Sequence, residues 1–366
     1  MGDRLAALPD RTTRYIETMA RRWHSFLFLA SLTVASDLAA NPNPQSFLPH
    51  FPDLNPQNTV KLLMADPSGN LFIVSSIAQT SAVVNIHVTK TDGSGNVLAS
   101  FNFGGSGMDT PNAAAVDSQG NLVIRGVTHS ADFPLVSPLQ KSGAIFITKV
   151  DAELQNILFS TLLGGAAGIS ATAVALDSAG NVYVTGITGA GFTTTPGALQ
   201  PSAPPPPLEG GVASGFIAEI SAPGSSLIFS TYFGGSGFVC AGNALDQPCL
   251  TYPGLTGPGL LTAPPAIAVD SSGAVIISGT SNASNLPVSA NAYAQQCGCT
   301  NELAAVFVAK IAPGGGQLIW GSYLPINQPP LITYSPSVTG MTLDASGNVI
   351  LAGNAQQGLP VTPNAL

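Results

Sequence analysis

One string recurs five times along the chain and constrains the fold more than any other feature. Each copy joins an Asp-x-x-Gly turn to a run of apolar and β-branched residues, as in ALDSAGNVYVTGIT at 175–188. The turn Asp can accept a hydrogen bond from the backbone two residues on, and a Gly three residues later adopts positive φ freely. The pattern predicts a strand–turn–strand hairpin in each copy. The turn residues are Asp66 and Gly69, Asp117 and Gly120, Asp177 and Gly180, Asp270 and Gly273, and Asp344 and Gly347.

Two further strings follow the first four hairpins in a fixed order. One is NIHVTKTD, AIFITKVD, GFIAEISA or VFVAKIAP, and the other is LASFNFGG, LFSTLLGG, IFSTYFGG or IWGSYLPI. Each of these units therefore has four predicted strands, A and B on either side of the Asp turn, then C and D in these two strings. The strands are apolar on both sides, which predicts sheets that are buried on both faces.

Four-stranded units that repeat without helical patterns predict an all-β chain, a β-propeller of antiparallel blades. An array of β-sandwiches is the alternative, but near-identical strings at matching offsets favour radial repetition. The fifth unit contains only its A and B strings, followed by LPVTPNAL. We therefore expect about four and a half repeats, in a propeller that is either truncated or incompletely closed.

The repeat also resembles a known family. The pattern DSxGNVYVxGxT is followed by DFPLVSP at 132–138 or TTTPGALQ at 193–200, and then by STYFGG. This combination resembles the bacterial secreted β-propeller repeat family, called SBBP, over about residues 60–366. The resemblance implies the propeller fold and implies no particular activity.

The N-terminal residues have the order of a secretory signal. Arg21 and Arg22 precede the apolar stretch FLFLASLTVA, and small residues follow in SDLAA. The apolar stretch is too short to span a bilayer, although a short membrane anchor or an amphipathic lead segment is the alternative. We expect an extension and signal peptide over 1–40, with the signal at about 19–40, a Pro-rich linker over 41–59, and the repeat domain over 60–366. The predicted location is secreted or cell envelope, with no transmembrane span in the mature chain.

Charge excludes one class of partner. Charged residues are 8% of the chain, the formal net charge is −8, and no cluster of Lys and Arg follows the N-terminal segment. Nucleic acid binding requires cations that displace counterions from phosphates, so no nucleic acid partner is expected.

The lengths of the connections distinguish the two ends of each unit. In an antiparallel meander the A–B and C–D turns share one end, and the B–C and D–A loops share the other. The long insertions, at 201–214, 235–265 and 281–303, all belong to the second class. We call that end the decorated face and the other end the plain face. Because binding sites usually lie on loops carried by a scaffold, the decorated face is the predicted contact surface. The alternative is that the insertions are tolerated drift.

The four cysteines all fall in these long loops, at Cys240, Cys249, Cys297 and Cys299. An even number of cysteines in a secreted chain predicts disulfides. Two cross-loop bonds are favoured, and pairing within each loop is the alternative. Zinc is disfavoured because the C-x8-C and C-x-C spacings are unlike those of zinc fingers.

Few charged side chains are available to the decorated face. The candidate binding-face residues are Asp109, Arg125, Asp132, Asp246 and Glu302. Asp109 and Asp132 are expected to stabilise turns, and Arg125 to pair with one of them or to line a central channel. The sequence contains no convergent set of acids, bases or nucleophiles. We therefore predict no catalytic residues, no metal site and no cofactor.

These observations favour a binding or scaffold module that uses its long loops to contact a glycan or a protein at the cell surface. Two alternatives remain open. One is a carbohydrate-active enzyme of the propeller type, a lyase or a glycosidase. The other is a purely structural segment of a larger surface protein.

Overall fold

Regular structure consists of β-strands alone in the part of the chain that the structure describes. The computed structural model describes residues 58–164, 170–188, 191–204, 214–235, 239–240, 266–281, 283–297, 305–324 and 337–354. The expected signal peptide and nearly all of the expected linker lie outside these residues. Over these ranges, no helix is long and apolar enough to cross a membrane.

The strands form five antiparallel sheets, which we call blades 1 to 5. Blade 1 contains β1 (Asn58–Ala65), β2 (Leu71–Ala78), β3 (Val84–Thr91) and β4 (Val97–Phe103). Blade 2 contains β5 (Asp109–Val116), β6 (Leu122–Thr128), β7 (Ile145–Val150) and β8 (Ile157–Leu163). Blade 3 contains β9 (Ser170–Leu176), β10 (Val182–Thr188), β11 (Ser214–Ile220) and β12 (Leu227–Phe233). Blade 4 contains β13 (Val239–Cys240), β14 (Ala266–Val269), β15 (Val275–Ser281), β16 (Ala305–Ile311) and β17 (Leu318–Leu324). Blade 5 contains β18 (Ser337–Leu343) and β19 (Val349–Asn354).

The predicted all-β architecture of four-stranded antiparallel blades is confirmed. Hydrogen bonding follows chain order in blades 1, 2, 3 and 5, and in blade 4 both β13 and β14 pair with β15 before β16 and β17 follow in order, so the blades are meanders. This order places the A–B and C–D turns at the plain face and the B–C and D–A connections at the decorated face. Among the described strands, the sheets do not close into a ring.

The Asp turns have the predicted geometry. In blade 2, Asp117 Oδ1 accepts hydrogen bonds from the backbone N–H groups of Gln119 and Asn121, at 3.0 and 2.8 Å. Asp117 Oδ2 accepts a third from the side-chain amide of Asn121, at 2.8 Å. Gly120 has φ of 84°, a conformation that suits glycine. These contacts all fall within five residues, which explains why the turn can be recognised from the sequence.

A bulge in strand A explains a recurrent glycine in strand B. The pairing between β5 and β6 shifts between Pro111 and Ala113, next to Gly126. A Cβ at Gly126 would lie 2.1 Å from the carbonyl oxygen of Thr110 and 2.6 Å from the ring of Phe146. The close approach of backbone and ring therefore requires glycine at this position.

The longest insertion lies within strand A of blade 4. Strand β13 pairs with Thr280 and Ser281 of β15, and β14 pairs with the preceding part of the same strand. Residues 241–265 are therefore inserted into strand A of blade 4 at the position where strand A of blade 2 has its bulge, after Pro111. This corrects the expectation that 235–265 is simply a D–A loop, because the first residues of strand A precede the insertion.

Buried side chains pack between consecutive blades. One cluster, with Phe72 and Phe146, joins blades 1 and 2. A second, with Val184 and Phe216, joins blades 2 and 3, and a third, with Phe307, joins blades 3 and 4. Each fully buried side chain of this size contributes about 1.5–3 kcal/mol to folding. The predicted burial of both sheet faces is thus confirmed for the central blades.

Candidate binding face

Segments of the B–C loops form an ordered part of the decorated face. In blades 2, 3 and 4 the chain leaves strand B and returns along the outer edge of strand D. We call these segments the covers, and they comprise residues 133–140, 192–200 and 286–294. In blade 2, Val136 and Ser160 exchange two backbone hydrogen bonds of 3.1 and 2.9 Å, and the amide of Leu162 donates to the carbonyl of Gln140 at 3.1 Å. The covers therefore occupy edges that would otherwise be unpaired.

A tyrosine in strand D holds the start of the cover in blades 3 and 4. The hydroxyl of Tyr232 accepts from the amide of Phe192, and that of Tyr323 accepts from the amide of Leu286, both at 2.9 Å. The Tyr323 hydroxyl also donates to the carbonyl of Ala283 at 2.6 Å. The cover strings of blades 2 and 3 resemble a family motif, but nothing in their sequence shows that they close the edge of a sheet.

Blade 1 has no cover. Its B–C connection is a five-residue turn at 79–83, in which the amide of Gln79 donates to the carbonyl of Val83 at 2.9 Å. Among the described residues, no segment pairs with the outer side of strand β4, which is therefore an uncovered edge in this part of the chain. Leu98 is 54% exposed, and Ser100 is exposed where the equivalent Ser160 of blade 2 is buried.

Asp109 and Asp132 stabilise the D–A turn between blades 1 and 2. Asp109 is fully buried and accepts hydrogen bonds from the amide of Gly105 at 2.6 Å and the hydroxyl of Ser130 at 2.9 Å. Asp132 accepts from the amide and the hydroxyl of Ser106, at 2.8 and 2.9 Å. These two hydrogen bonds lower the pKa of Asp132. Both carboxylates therefore shape a loop of the decorated face, and only Asp132 is exposed on it.

Arg125 does not lie on the surface of the decorated face. It is 1% exposed, in the middle of β6, opposite Ala113 and Ile147. Its Nε and Nη1 atoms are buried and have no hydrogen-bond partner in the part of the chain that the structure describes. The three ion pairs found among the described residues do not include Arg125, so the expected pair with Asp109 or Asp132 is not present. Burial lowers the pKa of Arg125 to about 9.

The alternation of side chains along β6 explains this difference. Arg125 lies on the same side of the strand as Val123, whose side chain belongs to the cluster between blades 2 and 3. Asp109 pairs with Thr128, on the opposite side of β6 and towards blade 1. The sheet therefore separates the two charges.

The other predicted site residues are only partly described. Cys297 is 4% exposed within the core of blades 3 and 4, and its side chain is disulfide-bonded. Cys249, Cys299, Asp246 and Glu302 lie outside the described residues, and of Cys240 only the backbone is described. The pairing of the cysteines stays a prediction.

Tyr293 is an exposed aromatic residue that the sequence did not identify as a candidate contact residue. Tyr293 lies in the blade 4 cover and is 67% exposed, while its neighbour Ala294 donates its amide hydrogen to the hydroxyl of Ser322 at 3.1 Å. An exposed aromatic ring on an anchored segment is a typical contact group in binding sites. Nothing in its local sequence separates it from buried aromatic residues, so only its place in the fold identifies it.

Buried and partly buried ion pairs lie at the opposite end, the plain face. A lysine of strand C pairs with the turn Asp in three blades: Lys90 with Asp66 at 3.0 Å, Lys149 with Asp117 at 2.9 Å, and Lys310 with Asp270 at 2.6 Å. In blade 3 the equivalent residue is Glu219, which is buried beside Tyr183. The exception can be found by aligning AEIS with TKTD, TKVD and AKIA, and it was overlooked in the sequence.

Comparison with known proteins supports the repeat. Residues 158–193 match the family model described as SBBP, beta-propeller repeat. This match confirms the resemblance seen in the sequence, over a stretch from strand D of blade 2 to the start of the blade 3 cover. A search of curated proteins finds no match to the chain.

Several solved structures share a distant likeness. A polysaccharide lyase of family PL25, an ulvan lyase, is 9% identical with a TM-score of 0.41, over 81% of this chain and 63% of that one. The quinohemoprotein alcohol dehydrogenase from Comamonas testosteroni is 10% identical with a TM-score of 0.36, over 80% and 39%. A mutant of the Synechocystis apocarotenoid oxygenase is 9% identical with a TM-score of 0.34, over 79% and 52%. The chain thus spans less than two thirds of each of these proteins, and we draw no conclusion about activity from them.

Proposed function

We propose that this chain is a secreted or cell-envelope β-propeller that serves as a binding module, with its decorated face as the contact surface. The proposed partner is an uncharged glycan at the cell surface, and a protein partner is the alternative. The scarcity of charged side chains on the decorated face suits a neutral partner better than a charged one.

The observation that carries the proposal is the anchoring of the covers. Loops fixed by hydrogen bonds to a rigid sheet lose little conformational entropy when a ligand binds. The Tyr323 hydroxyl and the Ser322 side chain both hold the cover that carries Tyr293. The exposed ring of Tyr293 is therefore presented in a fixed position, where it can stack on the apolar face of a sugar ring.

The test uses the full chain and a panel of immobilised neutral polysaccharides, with binding followed by retention on each matrix. Tyr293→Ala is expected to weaken binding at least tenfold, whereas Tyr293→Phe keeps the ring and is expected to bind nearly as well. Glu153→Gln, an exposed change in a plain-face turn, is the matched control. Replacing 205–213 and 241–265 by minimal turns, which leaves the described strands and covers in place, is expected to abolish binding.

Unchanged binding by the loop replacements would contradict a contact surface on the decorated face. If no polysaccharide is retained, the same variants are tested against surface proteins of the producing cells. Localisation has a separate test, the intact mass of the natural protein before and after reduction and alkylation. Removal of about 40 N-terminal residues, with all cysteines paired, is the expected result for a secreted chain.

A further inference from the structure

Blade 3 differs from its neighbours at one buried position of the plain face. Cross-strand partners at this position are Phe72 and Lys90 in blade 1, Val123 and Lys149 in blade 2, and Ile276 and Lys310 in blade 4. In blade 3 they are Tyr183 and Glu219. The lysine that pairs with the turn Asp elsewhere is thus replaced by a carboxyl group, and the apolar residue opposite it is replaced by a phenol.

The three groups of blade 3 are connected. The hydroxyl of Tyr183 donates to Asp177 Oδ2 over 3.3 Å, and the same side chain hydrogen-bonds with Glu219. Tyr183 is 2% exposed and Glu219 is 5% exposed. Neither Asp177 nor Glu219 takes part in the ion pairs found among the described residues.

An ionised Glu219 would be poorly compensated. Asp177 already accepts hydrogen bonds from the amides of Ala179 and Asn181 and from the Asn181 side chain, at 2.8–2.9 Å. The phenol of Tyr183 has one hydrogen, so it can donate to only one carboxylate at a time. Even when the phenol donates to Glu219, the buried carboxylate has a single donor and the charge of Asp177 nearby, so its neutral acid is favoured.

The surroundings offer no compensating charge. The face of blade 4 that packs on Tyr183 is lined by Ile267, Val275 and Ile277, and the neighbouring strand β12 contributes Phe229. Lys149 lies beside the Asp177 turn, 3.5 Å from where a Cβ at Gly180 would be, but it is paired with Asp117. The charge that acts on Glu219 among the described residues is that of Asp177, which is also negative.

We propose that Asp177, Tyr183 and Glu219 form a proton-dependent contact that makes the junction of blades 3 and 4 sensitive to pH. With Glu219 protonated, its acid hydrogen adds a second donor to the contact and the strands pack as described. When Glu219 releases its proton to solvent, two negative charges lie on either side of one phenol and the junction loosens. Burial and the charge of Asp177 both raise the pKa of Glu219, and they outweigh the opposing hydrogen bond from Tyr183.

The raised pKa of Glu219 determines whether the fold gains or loses stability as the pH rises. The pKa of the Glu219 carboxyl is higher in the folded state than in the unfolded state. Its contribution to stability is therefore fully present at pH values below the unfolded pKa of about 4.3. This stabilisation is lost as the pH rises through the folded pKa. It is the reverse of the three Lys–Asp blades, where acid weakens the contact.

The experiment measures the unfolding equilibrium of the full chain in urea between pH 4.5 and pH 8. Glu219→Gln keeps the shape and removes the titration, so its curve should lack the loss that the wild type shows as the pH rises. The stability of the wild type relative to Glu219→Gln should therefore fall steadily as the pH rises across the range. Glu153→Gln, an exposed change in a turn of blade 2, should run parallel to the wild type.

A second variant keeps the proposal testable if Glu219→Gln does not fold. Glu219→Lys places an ammonium beside Asp177, as in the other three blades, and should exceed the wild type in stability at pH 8. The carbonyl stretching band of a protonated carboxylic acid should also be visible in the wild type at the acid end of this range, be absent from Glu219→Gln, and disappear on deprotonation. Parallel pH curves for the wild type and Glu219→Gln would overturn the proposal. So would restoration of high-pH stability by added Ca²⁺, because the group would then hold a metal ion instead of a proton.

Discussion

Lys149 Nζ lies 2.9 Å from Asp117 Oδ2, and the two side chains are only 6% and 0% exposed. A buried pair of this kind does not add much relative to apolar residues of the same size, but removal of one partner leaves the other charge uncompensated. The pair therefore ties strand C to the A–B turn of its blade. It also faces the Gly180 turn of blade 3, where a Cβ would lie 3.5 Å from the lysine nitrogen.

Lys149→Met should lower the free energy of unfolding by about 3–5 kcal/mol, because Asp117 would remain buried without its cation. Urea unfolding at pH 7 measures the loss. Lys310→Met is the comparison, since that pair is 23% and 14% exposed and should lose less. Equal losses would show that burial does not set the strength of these pairs.

Acid should weaken the same contact. Burial raises the pKa of Asp117, whereas hydrogen bonds from Asn121 and Lys149 lower it. The lowering effects are together the larger, so the pKa of Asp117 in the folded state lies below its ordinary value. The resulting stabilisation is present above the unfolded pKa of about 3.9 and is lost as the pH falls through the folded value. Lys149→Met should therefore show a smaller loss of stability in acid than the wild type.

Local chemistry explains what the sequence could predict. The turns depend on an Asp, a Gly and the backbone between them, so Asp117 and Gly120 suffice to indicate a hairpin. The blades follow because such hairpins recur with two more strands each. The uncovered edge of β4 was not foreseen, because it depends on a loop that is short in one blade alone.

Contacts between strands explain what the sequence could not predict. Arg125 and Asp109 are close in the chain, yet they project from opposite sides of one sheet, and only the register with β5 reveals this. Tyr183 and Glu219 are 36 positions apart and meet as cross-strand partners. The aligned repeat strings show that both positions differ from the other blades. Only the pairing of β10 with β11 shows that the two side chains are neighbours.

Tyr323→Phe should release the blade 4 cover. The change leaves the amide of Leu286 and the carbonyl of Ala283 without their partner, which should cost about 1–3 kcal/mol. Hydrogen exchange at the Leu286 amide should accelerate together with the loss of stability. Tyr293→Phe, at a ring that is 67% exposed, should change stability by less than about 0.5 kcal/mol. Unchanged exchange at Leu286 would show that the hydroxyl does not anchor the cover.

The uncovered edge of blade 1 should promote association between chains. Its outer backbone groups lack the cover that blades 2 to 4 possess, and such edges template strand pairing. Leu98→Lys should reduce concentration-dependent association, as measured by sedimentation velocity. Leu158→Lys alters the equivalent, 44% exposed residue of a covered strand and should have a smaller effect. Equal effects of the two changes would assign the association to exposed apolar side chains in general.

Arg125→Leu should stabilise the protein by at least about 1 kcal/mol, because a leucine removes an unpaired buried charge from the space between blades 2 and 3. Burial lowers the pKa of Arg125 to about 9, so the cost is complete below that pH and is relieved as the pH rises above it. Calorimetric melting at pH 8 and pH 10 should therefore show that the variant exceeds the wild type in stability by more at pH 8 than at pH 10.

Thr185 occupies the same repeat position in blade 3 and donates to the carbonyl of Phe216 at 2.8 Å. Thr185→Val should destabilise the fold, since it removes a satisfied donor. A loss of stability in Arg125→Leu would instead mean that the guanidinium has a binding partner in solution.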